Sequence, residues 1–206
     1  TLYNLSKLNN TKITDEASLF LNNNKIVKFI KGEENNFKIT TKSDLEKKYI
    51  QNFYGIGFDI HRLIKNKKLY LGGIKIPFHS GLKGHSDGDV IIHAIIDAIL
   101  GAIGKKDIGT YFPNTKKFKN IRSYLMLNPI IDNLNKSNIL INNLDINLIC
   151  EQPKVSKYRV KIINSISKLT TLSKDRINLK GKTVEKLGLI GKEKAIACEV
   201  IISITK

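Results

Sequence analysis

Tyr54-Gly55-Ile56-Gly57-Phe58-Asp59-Ile60-His61 reads as a β-strand with glycines in it. Side chains two apart on a strand point to the same face, so Asp59 and His61 stand side by side. A second stretch, Gly84-His85-Ser86-Asp87-Gly88-Asp89-Val90-Ile91-Ile92-His93, passes from polar residues into a helix. Ser86 with an acid three residues later is a capping-box-like start. The helix is expected to run to about Gly104, where glycine marks an end. His93 then lies one turn after Asp89.

Outward from these two stretches, Lys68-Leu69-Tyr70-Leu71, Gly72-Gly73 and Ile74-Lys75-Ile76-Pro77 predict a hairpin. Asn120 to Leu134 has helical spacing, with Pro129 expected to kink or end it. Asn143 to Ile149 alternates as a strand, Val160 to Leu172 as an amphipathic helix, and Arg176 to Lys180 and Ala195 to Ile204 as two further strands. The order β, hairpin, α, α, β, α, β, β predicts an α/β (α+β sandwich) fold, a mixed sheet with helices packed on one face.

Residues 1–52 differ from the rest: an arm of Asn, Lys and Glu with no Gly before Gly32 and no Pro. Two apolar pieces, Ala17 to Leu21 and Ile26 to Ile30, are expected to order locally within an otherwise partly disordered arm. The chain starts at Thr1 without Met, which suggests a fragment whose leader is missing. Residues 53–206 form the predicted domain.

The chain has 206 residues, of which 41% are hydrophobic, enough for one domain with an appendage. The longest uncharged apolar run, Val90 to Ile103, is broken by His93 and Asp97 and is too short to span a bilayer, so no membrane partner is expected. Cys150 and Cys198 are expected as two free thiols. The formal net charge of +17 would suit an acidic partner. The lysines are spread along the chain and no aromatic-basic RNA motif accompanies them, which favours compositional drift and no nucleic-acid partner.

Asp59, His61 and His93 offer one carboxylate and two imidazoles, a set that suits zinc with an open fourth position. The competing reading is a strand-end pair beside a satisfied core histidine. Three of the four histidines fall in these two stretches, which favours a site. His85 and Ser86 precede a helix N-terminus, where backbone N–H groups and the helix dipole favour phosphate. A capped helix start explains them equally well. Asp107 beside Gly109 could hold a substrate hydroxyl, although turn chemistry is commoner. Lys182-Thr183-Val184-Glu185-Lys186 could bind phosphate and a hard cation, or be a solvated turn.

Taken together, these motifs closely resemble the 2-C-methyl-D-erythritol 2,4-cyclodiphosphate synthase family of the non-mevalonate isoprenoid pathway. The resemblance rests on Gly-Phe-Asp-Ile-His at 57–61, Leu-Gly-Gly at 71–73, His-Ser-Asp-Gly-Asp-Val at 85–90, Asp-Ala-Ile-Leu-Gly at 97–101 and Asp-Ile-Gly at 107–109. It continues with Phe-Pro-Asn-Thr at 112–115, Gln-Pro-Lys at 152–154, Thr-Val-Glu-Lys-Leu-Gly at 183–188 and Ala-Ile-Ala-Cys-Glu at 195–199. Residues 1–52 are outside it.

The resemblance implies a homotrimer around a central apolar cavity, with active sites at subunit interfaces. It implies conversion of 4-diphosphocytidyl-2-C-methyl-D-erythritol 2-phosphate to the cyclic diphosphate plus CMP, by a CMP-releasing phosphorus–oxygen lyase. Asp59, His61 and His93 match zinc ligands, and Glu185 the ligand of a second cation, Mg²⁺ or Mn²⁺. His85 and Ser86 match phosphate-holding residues. Asp107, Ile108 and Gly109 match the loop at the methylerythritol hydroxyls, with Phe112, Asn114 and Lys116 beside it. Cys150, Pro153, Lys154, Val155 and Ser156 match the neighbouring subunit's cytosine pocket. His85 and Thr183 match the residues closest to the reacting phosphates.

The chain departs from the family pattern at Lys182, where a small hydroxyl residue is usual, and at Asn114, which replaces a common Asp. Leu189 and Lys192 stand where Phe and Arg are frequent, at the end of the central cavity that can accept an isoprenoid diphosphate. Lysine there gives up the bidentate phosphate grip of arginine. The alternatives are a zinc phosphoesterase using water, and a basic RNA-binding domain. By analogy, an Asn/Lys-rich arm ahead of the matched domain suggests a plastid-type organelle, apicoplast or chloroplast, or a bacterial-type cytoplasm if the arm is no targeting remnant.

Overall fold

Glycine at positions 55 and 57 sets the layer spacing of the molecule. In the computed structural model, which describes residues 16–22, 24–32, 38–42, 44 and 51–206, these glycines lie on the helix-facing side of strand β1 (Asn52–Lys65). A Cβ at Gly55 would fall 1.9 Å from the Ala98 carbonyl oxygen, and one at Gly57 1.9 Å from that of Ala94. The strand interior has given up its side chains so that helix α2 (Val90–Ala102) can approach backbone to backbone. Ala94, Ala98 and Ala102 recur every fourth residue and present the matching small face.

β1 pairs antiparallel with β7 (Ala195–Thr205), from Asn52 opposite Thr205 to Arg62 opposite Ala195. On its other side β7 pairs antiparallel with β5 (Leu140–Ile149), which pairs parallel with β6 (Ile177–Lys182). The edge strand β4 (Ser80–Leu82) completes a mixed sheet in the order β4-β1-β7-β5-β6. A two-stranded hairpin of β2 (Leu69–Leu71) and β3 (Ile74–Ile76) turns at Gly72 and Gly73, whose φ values of 61° and 84° suit glycine. The predicted strands, hairpin and mixed sheet are all present. β4 was not foreseen, because its three residues Ser80-Gly81-Leu82 carry no pattern.

α2 is apolar almost all round, and a helix of that kind must be central. It packs on β1 and β7 and is covered by α4 (Ser123–Lys136), with α5 (Arg159–Thr170) beside α4. Two corrections concern helix ends. α2 begins at Val90, not at Ser86, because the Asp89 carboxylate caps it by accepting from the amides of Ile91 and Ile92. Nor does Pro129 end α4: Ile130, Ile131 and Leu134 beyond it are buried in the same core as Met126 and Leu127, and packing carries the helix through. The predicted end at Gly104 holds, with φ 67° and the Lys105 amide donating to the Leu100 carbonyl.

β1 inverts the usual sheet pattern. Its helix-facing side carries Gly55, Gly57, Asp59 and His61, while Tyr54, Ile56, Phe58 and Ile60 face outward and are 44–68% exposed. Towards β5 and β6 the same outer face turns polar, with Asp145 accepting from Asn178 and Lys180.

Residues Thr1–Lys48 form a separate unit from Tyr49–Lys206. Within it, the apolar piece 17–21 lies in a short helix, α1 (Glu16–Asn22), while 25–32 has no regular structure and Ile26, Phe29 and Ile30 are exposed. Residues 38–42 and 44 are described as well, with the Thr40 and Thr41 amides donating to the Asp44 carboxylate; residues 1–15, 23, 33–37, 43 and 45–50, on which much of the expectation of disorder falls, lie outside the described residues. Among the described residues no helix is long and apolar enough to cross a membrane.

Candidate active site

Close packing of α2 on β1 brings His93 onto the pair at Asp59 and His61. The His93 Nδ1 lies 2.8 Å from Asp59 Oδ2, the His61 Nε2 3.1 Å from the same oxygen, and the two imidazole nitrogens 3.2 Å from each other. Three ligand atoms bound at about 2.0 Å around a tetrahedral ion would stand roughly 3.3 Å apart, so these spacings fit a small cation. Among the described residues this is the one such cluster of histidine, cysteine or carboxylate groups.

The ring of His93 is fixed from behind. Its Nε2 lies 2.9 Å from Ser123 Oγ and 3.0 Å from Ser86 Oγ. Ser123 Oγ gives its single hydrogen to the Asp87 carboxylate, so towards His93 it can only accept. That places a proton on Nε2 and aims the Nδ1 lone pair at the cluster, the tautomer a ligand needs. Asp87 is held in turn by Arg122 Nε at 2.8 Å and the Ser123 amide at 3.1 Å. The Arg122 guanidinium lies over the Tyr70 ring, 3.8 Å from its centroid, and donates to the Gly73 carbonyl.

Asp89 is fully buried and accepts from Gly72, Gly73, Ile91 and Ile92, joining the hairpin turn to the start of α2. Burial pushes its carboxyl above the ordinary range against the pull of these amides. The amides of Ile91 and Ile92 are therefore occupied. The expectation that the helix N-terminus itself offers them to a phosphate is corrected.

Charge at the cluster follows the same geometry. Burial works to raise the Asp59 carboxyl, but the hydrogen bonds and charges of His61 and His93 hold it well below the usual range. Burial works to lower His93, and contact with Asp59, helped by the charges of Asp89 and Asp87, outweighs it, for a net rise.

Most of the predicted site residues fall into two groups. Asp59, His61, His85, Ser86, His93, Ile108, Gly109, Phe112 and Asn114 line one cavity of about 180 Å³, which Phe118 and Met126 complete. Cys150, Pro153, Lys154, Val155, Ser156, Lys182 and Thr183 line another of about 240 Å³. Glu185 lies beside the second, its carboxylate accepting from Thr183 Oγ1 at 3.1 Å. Asp107 and Lys116 line neither: the Asp107 carboxylate caps a short helix, α3 (Ile108–Tyr111), through the Thr110 amide and hydroxyl. Leu189 and Lys192 are exposed, on and just after α6 (Gly188–Gly191). Cys150 and Cys198 are free and buried, and burial pushes the Cys150 thiol up to about 11.

The two cavities sit at one level of the sheet. Ile60 pairs with Ala197, Ala197 with Ile149 and Ile149 with Lys182, which puts three strand spacings, roughly 14 Å, between the two strands. Sequence reasoning missed Asp87, Arg122, Ser123 and Glu151. Ser123 and Arg122 reach their partners across 30 residues or more, and no local pattern marks them.

The sequence profile of the YgbB family matches residues 53–205. The chain belongs to the YgbB family. A 2-C-methyl-D-erythritol 2,4-cyclodiphosphate synthase from Caldicellulosiruptor bescii is 43% identical over 151 residues, 73% of this chain and 96% of that protein. The bifunctional enzyme IspD/IspF of Pelagibacter ubique is 54% identical over 206 residues, all of this chain and 55% of that protein. The chain thus spans about half the length of the bifunctional relatives it matches. Among solved structures, IspF of Plasmodium falciparum in complex with CDP superposes with a TM-score of 0.67 at 42% identity, covering 76% of this chain and 97% of that one. The YgbB match begins at residue 53, so the arm stands outside the family segment but inside the alignment with the Pelagibacter protein.

Proposed function

We propose that this chain converts 4-diphosphocytidyl-2-C-methyl-D-erythritol 2-phosphate to 2-C-methyl-D-erythritol 2,4-cyclodiphosphate and CMP. The observation that carries this reading is the Asp59–His61–His93 cluster at one wall of a cavity whose other walls are His85, Ser86 and the Ile108–Gly109 loop. In this reaction an oxygen of the 2-phosphate forms a bond to the β-phosphorus. The bond from that phosphorus to the α-phosphate oxygen breaks, and the electron pair leaves with CMP. Anion meets anion, so orientation and charge neutralisation dominate the barrier, and no protein nucleophile is needed.

Zinc is the ion that the donor set and spacing favour at Asp59, His61 and His93; bound there, it supplies Lewis-acid polarisation of phosphate oxygen and a template for the substrate. Glu185 would hold Mg²⁺ or Mn²⁺ against the diphosphate. His85 is oriented by donating Nε2–H to the Thr115 carbonyl at 2.7 Å, and with Ser86 it faces the transferred phosphate. The loop from Cys150 to Ser156 takes the cytosine, and Thr183 and Lys182 the phosphates next to it. Lys182 adds a cation at a position where the family favours a hydroxyl.

The active unit is proposed to be a homotrimer. Two features support it: the exposed apolar stripe Tyr54, Ile56, Phe58 and Ile60, and the division of the site residues between two separated cavities. A second copy laid against the stripe would complete one site from two halves. The arm, residues 1–52, is read as belonging with the other half of a bifunctional protein. That favours a bacterial-type setting over a plastid-type organelle.

The deciding experiment incubates the zinc-loaded protein with the substrate and follows CMP release, with the organic product identified by phosphorus NMR. A cyclic diphosphate formed in step with CMP is expected. Inorganic phosphate instead would replace this reading with a phosphoesterase.

A further inference from the structure

Glu151 follows β5 and belongs to the loop that lines the second cavity. Its Oε1 reaches into a different loop, accepting from the Val184 amide at 3.1 Å and the Lys186 amide at 3.2 Å. The same two segments are joined next door, where the Cys150 amide donates to the Lys182 carbonyl at 3.0 Å. Between the two bonded amides stands Glu185.

The turn that Glu151 grips is one the backbone would not adopt unaided. Glu185 and Lys186 have φ values of 52° and 62°, consecutive left-handed residues that both carry a Cβ. Such a conformation persists only where its surroundings over-determine it. Three contacts do so. The Leu187 amide closes the turn on the Val184 carbonyl at 2.9 Å. Gly191 backs onto it so closely that a Cβ there would fall 2.0 Å from the Lys186 carbonyl carbon. The Glu151 carboxylate holds the amides on either side of Glu185. Since Thr183 Oγ1 also bonds Glu185, the turn sets where both side chains point.

We propose that Glu151 is a positioning residue. Its carboxylate locks the turn at 183–187 so that Thr183 and Glu185 stand ready for a diphosphate and its divalent cation. It also ties that turn to the loop at 150–156, so a cytidine nucleotide seated on the loop meets a phosphate-binding turn already in place. This rests on the roles given above to Glu185 and to the 150–156 loop.

Two measurements on the intact protein test it. Amide hydrogen exchange across 183–188 should quicken in Glu151→Ala, and remain near wild type in Glu151→Gln, whose amide oxygen can still accept both bonds. Titration of CDP binding with Mn²⁺ should show the midpoint raised roughly tenfold in Glu151→Ala, as for loss of a group that orients a metal ligand. Zinc content should be unchanged and Glu151→Gln should largely restore the midpoint. Unaltered exchange in Glu151→Ala would overturn the proposal, and so would a Glu151→Gln midpoint shifted as far as that of Glu151→Ala, since charge and not position would then be the cause. If wild-type CDP binding ignored Mn²⁺, the role of Glu185 as cation ligand would fall, while the exchange result would still decide whether Glu151 locks the turn.

Discussion

Asp59, His61 and His93 stand on the longest strand and on the most buried helix, whereas Lys154, Ser156, Thr183 and Glu185 stand on loops beyond the ends of β5 and β6. In the first region, position follows from the fold's closest backbone contact and from a chain of buried hydrogen bonds through Ser123, Asp87 and Arg122. In the second it follows from a few exposed or half-buried hydrogen bonds within and between two loops. The first region cannot move without disturbing the core. The second can change while the core stays as it is. Metal binding should therefore be coupled to stability in one region and separable from it in the other.

The strongest test of that coupling is Gly57→Ala. A Cβ at this position meets the Ala94 carbonyl oxygen at 1.9 Å, so α2 must lift away from β1 and take His93 with it. Overpacking of this kind is expected to cost about 3 kcal/mol or more. Thermal unfolding and zinc content should fall together. A variant with normal zinc and normal Tm would show that the helix–strand spacing does not set the site.

Much of the first region was legible in the sequence. The run from Tyr54 to His61 gave a strand, and the spacing of Asp59 and His61 a shared face; the close approach that Gly55 and Gly57 permit came only with the structure. The start of α2 was not legible, because Ser86 and Asp89 are both competent caps. Only tertiary contact decides between them: the Gly72 and Gly73 amides draw Asp89 inward, and His93 takes Ser86. The second region was legible through family resemblance alone. Lys182 to Lys186 reads as a charged turn until Glu151, more than 30 residues earlier, is placed against it.

The buttress behind His93 gives the next effect in size. Ser123→Ala removes an acceptor that fixes its tautomer and takes the hydroxyl donor from Asp87, which keeps the Arg122 guanidinium and the backbone amide at 123. Zinc affinity, measured by chelator competition, should fall 10–100-fold. Ser123→Thr should recover much of it, and an affinity unchanged in Ser123→Ala would sink the buttress.

A smaller and graded effect should appear with pH. The His93 imidazolium in the metal-free protein is raised above its ordinary value of about 6.5. Its contact with Asp59 therefore contributes stability fully below that value, and the contribution is lost as pH rises through the folded value. Zinc competes with the same proton, so its affinity must run the other way, falling by up to about tenfold per pH unit as His93 becomes protonated. Chelator competition and thermal unfolding of the metal-free protein, both from pH 8 to 6, should slope in opposite directions. Parallel slopes would place the titrating proton elsewhere.

Glu185→Gln should do least to the fold, and for that reason it sharpens the contrast most. Glu185 is exposed, and its bond from Thr183 can be kept by a glutamine oxygen. Tm should stay within about 0.5 kcal/mol of wild type in stability terms, and zinc content should be unaltered. Only the response to added Mg²⁺ or Mn²⁺ should weaken, since a neutral amide is a poorer ligand for a hard cation than a carboxylate. If zinc were lost as well, the two cavities would be coupled more tightly than about 14 Å of sheet suggests, and a shared interface between copies would be the natural carrier of that coupling.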